Sequence, residues 1–359
     1  MTVQLSFDEA RRIAVRAQLL DAQQPGDVVE VAEQLTAIKI DPTNAIAPAE
    51  HTILYSRIGW SYEPAQLRKA TEMDRLLFEF DGAFRPVSVL PMMRPRMRLD
   101  KLHASTRAWV EANKEFRRDI LARLRADGPL PASGIPDTAA VAHRSESGWY
   151  GPNQVPRMLE VLQRAGDVAV VRRDGRTKVW DLAERVYPQQ PELSEADAAS
   201  ALAERKLRAL GIARAKSPWS VVGTAGQEAT VGDSGWTFRV DPDALTALEA
   251  DVRGRVAILN PYDGMLFDRP RLQEIFHFPY VLEQFKPKSE RQFGYFTHPI
   301  LIGDRFAGLL DAEYRAADAT LVVTAVHERD EWDVDERDAV HHEIGELATW
   351  LGADVRGLD

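Results

Sequence analysis

Between Trp149 and Pro188 a helical stripe, a glycine stop and two strands joined by a tight turn follow one another with no room for another element. Val155, Met158, Leu159 and Leu162 fall on one face of a helix, and Gly166 stands where that apolar pattern ends. Val168 to Arg173, then Asp174-Gly175, then Arg176 to Leu182 read as strand, turn and strand, because Asp-Gly supplies the positive φ angles of a two-residue hairpin. Helix, strand, wing and strand in this order predict a winged helix. Its wing carries Arg172, Arg173, Arg176 and Lys178 against the single carboxylate Asp174. Such a hairpin suits a place beside phosphates, and a solvated hairpin with ordinary surface charges is the alternative.

At 359 residues the chain exceeds one ordinary hydrophobic core, so roughly two to four compact units are expected. A hydrophobic content of 45% with 28% charged residues is that of a soluble globular protein. The lack of cysteine excludes disulfides, thiolate zinc sites, iron–sulfur clusters and a cysteine nucleophile. No apolar run approaches the ~20 residues of a membrane span, and the start, MTVQLSFDEARR, lacks the layout of a signal peptide. A cytoplasmic protein that does not engage membranes is expected.

The net charge of -10 argues against a protein that simply coats nucleic acid. Charge is nevertheless segregated. From Arg85 to Arg125 eleven Arg or Lys face four carboxylates, whereas from Glu328 to Glu346 nine carboxylates face only Arg329 and Arg337. An acidic rim around a basic groove would favour selective DNA contact, and a dipolar surface with no partner is the other reading.

Ser6 to Leu20 predicts a helix capped by Ser6 with Glu9 three residues on. Val28 to Ala37 predicts a second, and Glu63 to Ala70 and Asp74 to Phe80 predict short ones. Ile38 to Tyr55 starts extended and runs irregularly through Pro42 and Pro48. Ser105 to Arg125 reads as one long amphipathic helix, and Ser194 to Leu210 as another capped by Ser194 and stopped by Gly211. A third helical unit with a degenerate wing is expected around Val221 to Val240. After Arg253, short β-type runs at Val256–Leu259, Tyr280–Phe285, Phe293–Leu301, Phe306–Tyr314 and Thr320–Val326 suggest a small sheet or barrel, closed by a helix from Glu336 to Leu351.

Several blocks together resemble the AlkZ/YcaQ family of DNA glycosylases. WYGPNQVPRMLEVLQRAGDVAVVRRDGRTKVWDLAERVYP is similar to the family's second winged helix, and NPYDGMLFDRPRLQEIF and FGYFTHPILIGDRFAGLLD are similar to its C-terminal segments. IKIDPTNAIAPAEHTILYSRIG resembles the active-site loop. The likeness spans roughly residues 5 to 330. It implies an α+β protein of tandem winged-helix (helix-turn-helix) units followed by a small C-terminal β-domain, and the pattern along the chain divides these at 1–104, 105–190, 191–253 and 254–359. It also implies excision of N-alkylated bases or unhooking of crosslinks in duplex DNA. In the family the loop carries Gln, a hydrophobic residue, then Gln or Asp. Here Lys39, Ile40 and Asp41 stand at those places, Pro48 replaces a common arginine, and Glu50 replaces one of two adjacent histidines, leaving His51.

Residues two apart in an extended segment face the same side, so Lys39 and Asp41 are candidates for one cleft with Ile40 on the other face. Cleaving a glycosidic bond passes through a cationic sugar, whose charge a carboxylate such as Asp41 stabilises while orienting water. A quaternised purine already leaves well and requires no strong general acid. Three roles stay open for Lys39: an ion pair with Asp41, a phosphate contact, or an amine desolvated enough to attack the sugar. His51 and Arg57 are candidate DNA contacts, against structural roles for both. Gln154 and Arg157 sit on the expected recognition helix, where Pro152 and Pro156 distort the start. Lys286, Lys288 and Arg291 form a basic loop suited to DNA backbone. His341, His342 and Glu343 do not have the spacing of a zinc-protease helix, so no metal is expected. GTAGQ at 223–227 lacks the lysine and the strand-to-helix context of a phosphate loop, so no nucleotide cofactor is expected either. A non-catalytic DNA-binding regulator, or a protein that sequesters a reactive small molecule, remains open because a fold does not fix a function.

Overall fold

The computed structural model describes residues 2–21, 26–143, 153–246, 248 and 255–358. Trp149 to Pro152, at the head of the block read as a winged helix, and Arg253, where the β-rich part was expected to begin, lie outside these residues. The protein is α+β, and the chain forms two compact units, one of residues 1–66 and 203–359 and the other of residues 67–202.

The larger unit begins with Val3–Leu5, a strand that pairs in parallel with Gln227–Val231 (Val3↔Ala229) at one edge of a four-stranded sheet. Phe7–Ala17 follows as a helix whose Ser6 and Glu9 form the expected capping box. It stops at Ala17, three residues early, because Leu19 adopts a φ of 55°. Val28–Leu35 is the second helix; the Asp27 carboxylate accepts from the Val29 and Glu30 amides at its start. The strand Ile38–Lys39 opens the irregular segment, but the expected loop ends at Pro48. Ala49–Ile58 is a helix, since Pro48 sets the φ of its entry and none of the next ten residues breaks it.

The rest of this unit is β-rich. Val256–Ile258, His298–Ile302, Arg305–Arg315, Thr320–Glu328 and Asp354–Arg356 form a five-stranded sheet in that order, antiparallel except for the last pair. Val334–Leu351 is the closing helix, begun by a capping box of Asp333 and Glu336. Tyr280–Phe285 is not a strand. There the Glu283 carboxylate accepts from the Gln292 and Phe293 amides, so the chain closes into a loop instead of pairing with a neighbour. In the core Phe278 stacks on Phe306 with ring centroids 4.6 Å apart, and Phe276 meets Phe306 edge-on at 5.2 Å.

In the smaller unit the stripe of Val155, Met158, Leu159 and Leu162 is wholly buried on the helix Val155–Arg164. It packs against Phe116, Ile120, Leu124 and Trp180, each such burial contributing about 1.5–3 kcal/mol. Gly166 ends the helix at a φ of +80°, and a Cβ there would lie 2.7 Å from the Met97 carbonyl oxygen. The strands Val168–Asp174 and Thr177–Leu182 are antiparallel, but Asp174 pairs with Thr177, so the turn residues are Gly175 and Arg176. With Gly175 alone at positive φ this is the turn with glycine in first place, one residue later than Asp-Gly suggests.

Two further expectations fail here for local reasons. Asp74–Phe80 is not a helix. Leu77–Phe80 pairs with Ala83–Pro86 around Asp81 and Gly82, both at positive φ, the two-residue turn that an Asp-Gly pair specifies. The long helix from Ser105 divides into Ala104–Ala112 and Lys114–Asp127. Asn113 breaks it because its buried amide is committed to Val141, donating to that carbonyl at 3.0 Å and accepting from that amide at 3.1 Å.

Candidate functional site

Ile38 is wholly buried and anchors the short strand from which Lys39, Ile40 and Asp41 emerge half-buried. Asp41 Oδ1 accepts the Thr43 amide at 2.9 Å, an Asx turn that reverses the chain and fixes the carboxylate. No ion pair joins Asp41 to Lys39; neither side chain has one among the described residues. The loop then docks on the β-sheet, where the Tyr314 amide donates to the Ala45 carbonyl at 2.7 Å.

The helix after the loop is fixed from the other end of the sequence. Arg57 has no exposed surface and is held by Asp263, which it meets through both guanidinium nitrogens, one at 3.0 Å. The Asn260 amide donates to Thr52 Oγ1 at 2.8 Å. The NPYDG block thus clamps the helix behind the loop. Arg57 is an internal strut, out of reach of a phosphate. His51, on the first turn of this helix, has Nδ1 2.7 Å from the Tyr62 hydroxyl, and burial holds its pKa down at about 4. It is a neutral hydrogen-bonding ring at pH 7. Trp350 Nε1 donates to the Tyr62 carbonyl at 2.8 Å and its ring packs on Tyr55.

A cavity of about 900 Å³ in the same unit is lined by Pro42 to Ala45 of the loop, though not by Lys39 or Asp41. Asn44, Lys288, Arg291, Asp311, Glu313 and His327 are among its polar groups. Burial raises the Asp311 carboxyl above its ordinary range, with His327 opposing and Glu313 adding to the rise. Gly294 is needed beside it: at φ +142°, an added Cβ would stand 2.5 Å from that carboxylate. The His327 ring donates through Nε2 to the Phe293 carbonyl at 2.8 Å. Of the basic loop, Lys288 and Arg291 reach the cavity, while Lys286 Nζ bonds Glu283 at 2.8 Å.

In the smaller unit the wing cations divide by partner. Arg173 makes a two-point bond to the buried Glu79 at 2.7 and 2.8 Å, and Lys178 meets the same carboxylate at 3.2 Å. Arg172 pairs with Asp174 in solvent, and Arg176 is exposed at the turn. Gln154 is buried at the start of its helix and accepts the His143 amide at 2.7 Å. Arg157 is largely covered and lies 3.9 Å from Glu160. Sequence reasoning missed Asp263, Glu79, Asp311 and His327. Asp263 lay inside the quoted NPYDG block, whereas a lone acid or histidine within a strand carries no local signal.

The chain is an α+β protein with an Asp-bearing turn between a short strand and a helix, and its family is one of DNA glycosylases. A family model described as DNA glycosylase AlkZ-like matches residues 32–350, and the chain belongs to that family. Among solved structures it is similar to the Streptomyces sahachiroi DNA glycosylase AlkZ. That likeness has a TM-score of 0.65 over 99% of this chain and 100% of that one at 16% identity, a likeness of fold. Among the described residues no helix is long and apolar enough to cross a membrane.

Proposed function

We propose that this protein is a monofunctional DNA glycosylase that removes N-alkylated bases, or unhooks crosslinks, from duplex DNA by hydrolysis of the N-glycosidic bond. One observation carries the assignment of roles. Asp41 Oδ1 is occupied by the Thr43 amide and, among the described residues, no ion pair neutralises the carboxylate, which leaves Oδ2 to orient water and face a cationic sugar. Lys39, which has no acidic partner among the described residues, is assigned to a phosphate rather than to quenching Asp41. Helix-and-hairpin units act as the tandem winged-helix scaffold, with Arg172, Arg176, Lys288 and Arg291 as backbone contacts and His51 as a neutral hydrogen-bond partner near the loop.

The test is release of free base from duplex DNA containing N7-methylguanine. Asp41→Asn keeps an oxygen for the Thr43 amide and so preserves the turn, yet removes the charge. Base release is expected to fall about 100-fold or more, with DNA affinity retained. Equal activity of wild type and Asp41→Asn would reject the role of Asp41. Salt-dependent DNA binding without any base release would favour a non-catalytic DNA-binding protein.

A further inference from the structure

Phe285 is 84% exposed, a costly position for a phenyl ring unless something covers it in function. It sits on a loop built to be stiff. The buried Glu283 carboxylate accepts from the Gln292 and Phe293 amides and from Lys286 Nζ, each at 2.8 Å. The Lys286 amide returns to the Glu283 carbonyl at 2.9 Å, Arg291 Nε donates to the Lys286 carbonyl at 3.0 Å, and Pro287 stiffens the tip. Its carboxyl is held at about 2: burial alone would raise it, but the bonds from Lys286, Phe293 and Gln292 outweigh that, so the closure is ionised throughout the physiological range.

The flanks of the ring are basic. Lys286, Lys288 and Arg291 follow within six positions against one exposed acid, Glu290. The Arg291 guanidinium lies 4.8 Å from the centroid of the Tyr295 ring, itself about half exposed at 49%. A rigid loop presenting an apolar ring between cations is complementary to a base stack bordered by phosphates.

We propose that Phe285 is a wedge that inserts into the base stack of duplex DNA, the flanking Lys288 and Arg291 holding the adjoining phosphates. The idea rests on the glycosylase reading for its ligand and adds the residue that unstacks the site. A preformed loop matters because little conformational entropy is then lost when the ring enters the stack.

The test uses the full chain and a duplex carrying 2-aminopurine beside a tetrahydrofuran abasic site. Wild-type protein is expected to bind and to change the 2-aminopurine fluorescence as the base unstacks. Phe285→Ala should fold normally, lose that fluorescence change and bind about 5- to 100-fold more weakly. Its salt dependence should be unaltered, because no charge is removed. Phe285→Leu should recover part of the signal, since apolar bulk is what a wedge supplies. A Phe285→Ala variant that binds within twofold of wild type and gives the same fluorescence overturns the wedge while leaving the glycosylase reading intact. If the wild-type chain neither binds this duplex nor releases alkylated base, both fall together.

Discussion

Arg57 and Asp263, 206 positions apart in the chain, meet with no exposed surface on either side chain. Arg57 also donates to the Gln18 carbonyl at 3.1 Å, and Asp263 accepts the Met265 amide at 2.9 Å. The pair therefore ties the helix behind the Asp41 loop to the first helix and to the NPYDG turn. A buried ion pair is weak evidence of net stabilisation, but breaking one leaves a bare charge in the core.

Arg57→Ala is expected to lower the free energy of unfolding by about 3–5 kcal/mol, read as a lower denaturant midpoint. The double variant Arg57→Met with Asp263→Leu should lose less than Arg57→Ala alone, because it removes both charges. A single variant as stable as wild type would deny the clamp its structural role.

Replacing Lys39 should separate its electrostatics from its position. Two unit charges ~4 Å apart in water repel by about 1 kcal/mol, a factor of roughly five. An ammonium held on a phosphate lies beyond that range, so Lys39→Gln is expected to weaken DNA binding and to change excision of N7-methylguanine and of a neutral lesion alike, whereas a gain of about fivefold confined to the cationic base would place the ammonium beside it. An equal effect on both would show that the ammonium does not sense the charge of the base.

On the wing, Arg173→Ala should act on folding, because Arg173 serves the buried Glu79. A lower thermal midpoint with nearly unchanged DNA affinity is expected. Arg176→Ala, at the exposed turn, should move the midpoint less than Arg173→Ala and reduce the slope of log affinity against log salt by about 1. Reversed outcomes would show that Arg173 reads the phosphate and Arg176 the protein.

Glu343 governs a pH dependence. Burial raises its carboxyl from 4.5 to about 7, Arg255 opposing and Glu346 adding to the rise. The folded chain thus keeps this proton to higher pH than the unfolded chain. Its contribution is full below about pH 4.5 and is lost as pH rises through about 7. Glu343→Gln should accordingly be more stable than wild type at pH 8 by on the order of 1–3 kcal/mol, and the two should coincide near pH 4.5. Chemical denaturation at the two pH values checks this, and the contribution of His51 cancels because both proteins carry it.

What the residues disclosed in advance was whatever their neighbours along the chain decide. The stripe Val155, Met158, Leu159 and Leu162 and the cap Ser6 with Glu9 depend on spacings of three or four, and both formed as read. Asp81-Gly82 held as clear a turn signal as Asp174-Gly175, yet the reading of Asp74 to Phe80 as a short helix left the pair unused. Asn113 broke a helix because of Val141, a partner 28 positions away that no window of sequence contains. The candidate site divides in the same manner. Asp41 is a candidate because its loop resembles the family's, whereas the strut at Asp263 and the cavity around Asp311 arise only when segments distant in the chain meet.

The parallel pairing of Val3–Leu5 with Gln227–Val231 makes these residues part of the sheet. Removing them would strip a row of amides and carbonyls from residues 227–231 and leave a bare, extendable margin. A shortened chain would then be prone to stick to its own copies along that margin, so its handling in solution would suffer well before its chemistry did.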